Sequence, residues 1–107
     1  MSDDILSGLE ATIRQRRHAA SDSSYTRQLL DAGVEKCARK FGEEAIETII
    51  AALGDDSDAV VAEAADVVFH LMVLLEARGL SWSDVIVKLG KRTGASGIAE
   101  KAARKAD

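Results

Sequence analysis

Residues 43–66 read EEAIETIIAALGDDSDAVVAEAAD, two segments of helical apolar spacing joined by a Gly54-Asp55-Asp56 turn. Gly and clustered Asp break periodic structure, so the stretch reads as a helical hairpin. In antiparallel helices, residues equidistant from the turn lie at one height, which sets Glu44 opposite Asp66 and Glu47 opposite Glu63. Within each helix the i, i+3 spacing puts both carboxylates on adjacent turns of one face. Four acids then converge on a small volume, and converging carboxylates repel unless a cation lies between them. The stretch predicts a divalent-metal site.

Upstream, Val34, Cys37, Ala38, Phe41, Ala45, Ile49 and Ala52 share one side of a helix expected over residues 34–53, stopped by Gly54. Downstream, Ser57 or Asp58 is the expected cap of a helix reaching about Arg78, with Gly79 as a left-handed terminator. Apart from Glu63, Asp66 and His70, that helix is apolar nearly all round. A helix of this kind is buried on several sides, and the chain has few others to cover it. The expected architecture is therefore all-α, an antiparallel bundle of four to five helices completed by homodimerisation.

The remaining elements follow from local signals. Ile5, Leu6, Leu9 and Ile13 mark a first helix from about Asp4, capped by Asp3 or Asp4, to about Ala20. Ser21-Asp22-Ser23-Ser24 is a loop ending in the cap of a short helix over residues 25–32, ended by Gly33. Ser81-Trp82-Ser83-Asp84 has the form of a capping box with Asp in the acidic position, opening a helix to about Arg92. A Gly-rich connector over residues 93–97 then leads to a short helix over Ile98 to Lys105. Trp82 is expected to fill the core or a dimer interface.

Composition agrees. The chain has 107 residues, 47% hydrophobic, with no Pro and 4% aromatics, a single domain of helix-forming residues over 1–107. The one cysteine, Cys37, excludes an internal disulfide or a Cys-rich metal site; on the apolar face it reads as an inert small hydrophobe. The N-terminal residues lack the basic region and apolar run of a secretory signal. The longest apolar run, Leu71 to Leu75, is far short of the roughly 20 residues of a membrane span. A cytoplasmic protein without membrane partners is expected. Net charge is -4, although residues 88–107 carry Lys88, Lys91, Arg92, Lys101, Arg104 and Lys105 against Glu100 and Asp107. That tail lacks interleaved aromatics, so no nucleic-acid partner is expected.

The chemistry centres on a stripe of Ala59, Glu63, Asp66, His70 and Ala77. Ionised acids removed from water need a partner, and the facing Glu44 and Glu47 supply no counter-charge. Oxygen-only donors select a hard ion, Mg²⁺ with Mn²⁺ as a substitute, over zinc. Di-iron bundles require Glu-x-x-His on two helices, and the chain has no such motif. His70 is either an outer-shell partner or simply packed. Lys36 and Lys40 fall on the side of Glu43, Glu44 and Glu47, either as a solvated surface with a Lys40–Glu44 pair or as a face where metal and lysine together hold phosphate oxygens. With the acid stripe opposite, the second reading is preferred. Metal beside cations suits phosphoanhydride hydrolysis, and there is no Walker loop.

These residues resemble the phosphoribosyl-ATP pyrophosphohydrolases of histidine biosynthesis, within the all-α NTP pyrophosphatase superfamily. The superfamily core, Glu-x-x-Glu then Glu-x-x-Asp, is met by Glu44, Glu47, Glu63 and Asp66. Ser24-Tyr25-Thr26, residues 39–44 (RKFGEE), residues 63–66 with His70-Leu71, and residues 96–101 (SGIAEK) carry the more specific likeness. Phe69 stands where the family usually has Tyr, and Arg39 where it often has Lys. The resemblance implies a Mg²⁺-dependent homodimer that hydrolyses phosphoribosyl-ATP, a small nucleotide, to phosphoribosyl-AMP and pyrophosphate. It assigns Glu44, Glu47, Glu63 and Asp66 as catalytic metal ligands. Lys36, Lys40, Arg92, Lys101 and Arg104 are candidate phosphate contacts by charge and position, against ordinary exposed side chains. Rival readings are a housecleaning nucleoside triphosphate pyrophosphatase and a noncatalytic helical dimerisation module.

Overall fold

A computed structural model of the chain describes residues 2–19 and 24–93. Five helices follow in order: α1 (Ser2–Arg16), α2 (Tyr25–Ala32), α3 (Val34–Ala52), α4 (Ser57–Ala77) and α5 (Trp82–Thr93). The described residues contain no strand, as the all-α expectation requires. The helix expected over residues 98–105 lies outside the described residues.

Local chemistry sets most boundaries. Ser24 is extended (φ -134°, ψ 114°) and its hydroxyl accepts from the Arg27 amide, which caps α2. Between α2 and α3 the chain turns through Gly33 at φ 101°, a conformation that a side chain would strain. Gly79, at φ 72°, ends α4 in the same way. At α5 the Asp84 carboxylate accepts from the Ser81 amide at 3.3 Å, the expected reach-back of an acidic capping box.

Two boundaries differ from expectation. The cap of α4 is Asp56, whose side chain accepts from the Ala59 amide at 3.2 Å, rather than Ser57 or Asp58. All three are capping residues, and the one in extended conformation (φ -95°, ψ 100°) takes the role. Helix α1 begins at Ser2, before either expected cap, and ends at Arg16. There the amides of Arg17, His18 and Ala19 bond three residues back instead of four, the tightening common at helix ends.

The core lies where α1, α2, the first part of α3 and the second half of α4 meet: Ile13, Leu29, Leu30, Cys37, Met72 and Val73 are buried. Trp82, as expected, packs against this cluster with Leu6, Leu9, Val68, Phe69, Leu74 and Ala77. Polar clamps fix the outer helices. Glu76 of α4 accepts from Arg14 of α1 and from Arg17 just after it at 3.3 and 3.2 Å, and its main-chain oxygen accepts from Arg17 at 2.8 Å. Glu10 of α1 accepts from the Trp82 amide at 2.6 Å, tying down the start of α5.

The far half of the α3/α4 hairpin lies beyond that core. There Ile46, Ile49, Ile50, Leu53 and Val61 remain exposed, Leu53 at 84% and Val61 at 68%. Covering such side chains is worth roughly 1.5–3 kcal/mol each. Of the apolar side expected along α3, Cys37 is buried, Phe41 and Ala45 are half-buried, and Val34, Ala38, Ile49 and Ala52 are exposed.

Candidate metal centre

Helices α3 and α4 bring three of the four expected acids together. Carboxylate oxygens of Glu44, Glu63 and Asp66 all lie within 4.8 Å of one another. Opposite ligands of a Mg²⁺ bound at about 2.1 Å are about 4.2 Å apart, so small side-chain movements close the set. Glu63 Oε2 is buried and has no hydrogen-bond partner. A buried acceptor left unpaired costs about 1–3 kcal/mol, more when charged. A hard cation satisfies that oxygen and neutralises its neighbours, so the residues present suit a Mg²⁺-like ion.

Glu47 stands apart from this trio. It is exposed, and its carboxyl hydrogen-bonds that of Glu44, one turn back on α3. That bond, reinforced by the charge of Glu44, raises its pKa above the ordinary carboxylate value.

Beside the acids lies a groove of about 370 Å³ lined by Lys40, Glu43, Glu44, Ile46 and Glu47. Lys40 pairs with Glu43 at 3.3 Å, not with Glu44 as the solvated-surface reading had it. The bond to Glu43 raises the lysine pKa, so the ammonium is a firm positive charge on the groove wall. Lys36 is exposed one turn earlier on α3 and is not among the lining residues. Arg92 is exposed in the last turn of α5. Lys101 and Arg104 lie outside the described residues.

Behind the acids is a contact that sequence reasoning missed. His70 is buried, with Nδ1 2.8 Å from the main-chain oxygen of Asp66 and Nε2 3.0 Å from the Tyr25 hydroxyl. Tyr25 and His70 are 45 positions apart, and no local pattern signals their meeting.

A family model described as phosphoribosyl-ATP pyrophosphohydrolase matches residues 6–93. This chain belongs to the phosphoribosyl-ATP pyrophosphohydrolase family. Curated relatives agree. A Bradyrhizobium diazoefficiens protein named phosphoribosyl-ATP pyrophosphatase 1 is 54% identical over 97 residues, 91% of this chain and 92% of its own. Proteins named phosphoribosyl-ATP pyrophosphatase from Ruegeria pomeroyi and Rhodobacter capsulatus are 55% and 54% identical, over 94% and 92% of this chain and 95% and 96% of theirs. The span matched by the pyrophosphohydrolase model includes all four acids, Lys36, Lys40, His70 and Arg92, whereas Lys101 and Arg104 fall beyond it.

Proposed function

We propose that the protein hydrolyses phosphoribosyl-ATP to phosphoribosyl-AMP and pyrophosphate, the second step of histidine biosynthesis, with Mg²⁺ held by Glu44, Glu63 and Asp66. The observation that carries the chemistry is that Glu63, whose carboxylate has a buried, unpartnered oxygen, has a carboxylate oxygen within 4.8 Å of those of Glu44 and Asp66. The names of relatives about half identical over more than nine-tenths of the chain support the substrate. When bound, the ion supplies charge neutralisation at the phosphate oxygens and a water of lowered pKa.

The chain's own groups do the rest. Lys40, on the groove wall, offers a cation to the triphosphate, with Lys36 one turn further out. Glu47, whose proton affinity is raised at the edge of the same groove, is suited to take a proton from the attacking water. The water oxygen bonds to phosphorus, a phosphoanhydride P–O bond breaks, and pyrophosphate leaves. Arg92, Lys101 and Arg104 are further candidate contacts for phosphate. The exposed Ile46, Ile49, Ile50, Leu53 and Val61 support a homodimer, since exposed large apolar side chains gathered on one hairpin suit a pairing surface. Among the described residues no helix is long and apolar enough to cross a membrane. The buried, unpaired thiol of Cys37 suits the reducing cytoplasm.

The test is pyrophosphate release from phosphoribosyl-ATP and from a panel of nucleoside triphosphates, with Mg²⁺ and with chelator. Release specific to phosphoribosyl-ATP and lost with chelator is expected. Preference for a noncanonical triphosphate contradicts the substrate, and activity in chelator contradicts the metal.

A further inference from the structure

The geometry points to Tyr25 and His70 as positioning residues that set the Asp66 turn of α4, and so the spacing of the acid cluster. This inference rests on the reading of the cluster as a metal site. A carbonyl oxygen only accepts, so the 2.8 Å contact requires hydrogen on His70 Nδ1. In the neutral ring Nε2 is then left to accept from the Tyr25 hydroxyl, 3.0 Å away. The ring also meets Tyr25 and Phe69 nearly perpendicular, at 5.9 and 5.1 Å between centroids.

Tyr25 ties that ring to another helix. It is the first residue of α2, directly after the Ser24 cap, and α2 is seated by buried Thr26, Leu29 and Leu30. The path therefore runs from a capped, docked helix through one hydroxyl and one imidazole to the residue whose carboxylate stands beside Glu44 and Glu63. Partners behind a metal ligand orient it, and their loss typically costs about 10–100-fold in metal affinity or activity.

Mn²⁺ binding followed by electron paramagnetic resonance, together with steady-state kinetics at varied metal, tests this in wild type, Tyr25→Phe, His70→Ala, the double variant, Glu63→Gln and Ile13→Val. Tyr25→Phe is expected to weaken Mn²⁺ binding about 10-fold, with kcat largely recovered at saturating metal. His70→Ala should weaken it at least as much, and adding Tyr25→Phe to it should change nothing further. Ile13→Val should lower the melting temperature and leave Mn²⁺ affinity unchanged. If wild type binds Mn²⁺ and Glu63→Gln does not, yet Tyr25→Phe binds as wild type does, the positioning role is overturned and the metal site stands. An equal loss in Ile13→Val, or an undiminished Tyr25→Phe effect in the His70→Ala background, also overturns it. No Mn²⁺ binding by wild type overturns both readings.

Discussion

The Glu47 carboxyl neighbours that of Glu44 one turn away on α3, and hydrogen bonding to it together with its charge holds the Glu47 pKa above the ordinary carboxylate value. An acid whose folded pKa is raised stabilises the fold below its unfolded pKa, and that stability is lost as pH rises through the folded value. The metal-free protein should therefore melt at lower temperature as pH climbs past the carboxylate range. Glu47→Gln should flatten that decline. Protons compete with a cation for carboxylate ligands, so Mn²⁺ affinity should fall as pH drops and binding should release protons. Calorimetry in buffers of different ionisation enthalpy measures this; a proton count of zero near the raised pKa contradicts it.

Removing charge from the trio should separate activity from folding. Glu63→Gln and Asp66→Asn are expected to lower kcat/KM by roughly 10²-fold or more. In the absence of metal both variants should melt at or above the wild-type temperature, because clustered like charge is relieved. Full turnover in either, by pyrophosphate release, favours a noncatalytic acid face.

The clamp between α1 and α4 is structural. Arg17→Met removes hydrogen bonds of 3.2 and 2.8 Å to Glu76. The arginine side chain is 40% exposed, so solvent screening discounts the loss to about 1 kcal/mol. That corresponds to a melting temperature lower by roughly 4–8 °C, with kcat unchanged.

Cys37 is 1% exposed, its thiol donates to the Leu29 carbonyl at 3.3 Å, and burial raises its pKa. The folded thiol should resist alkylation at pH 8 until denaturant is added. Because the unfolded thiol ionises first, stability should fall as pH rises above its ordinary value. Cys37→Ala should remove that part of the alkaline decline.

The exposed hairpin face gives a direct assay of assembly. Wild type should sediment as a dimer, and Ile50→Glu, which places a charge where the side chain is 64% exposed in one chain, should sediment as a monomer. A monomeric wild type contradicts the paired arrangement.

Elements governed by neighbours in sequence were legible in it. The Ser24 cap, the Gly33 and Gly79 turns and the Asp84 reach-back are chemistry within a few residues, and α2 and α3 start where that chemistry places them. The α4 cap was ambiguous because Asp56, Ser57 and Asp58 all favour that role and only backbone path selects one. Equidistance from the turn located the acids but not their grouping. Side-chain geometry decides that Glu44 joins Glu63 and Asp66 while Glu47 lies outside the trio. Tyr25 against His70 is a tertiary contact, which neither periodicity nor capping encodes.

Anomalous diffraction from crystals grown with Mn²⁺ tests the metal site most directly. A peak bonded to oxygens of Glu44, Glu63 and Asp66, with Glu63 Oε2 among the ligands, is the expected result. Binding elsewhere on the chain, or an ordered trio with no peak at saturating Mn²⁺, contradicts it.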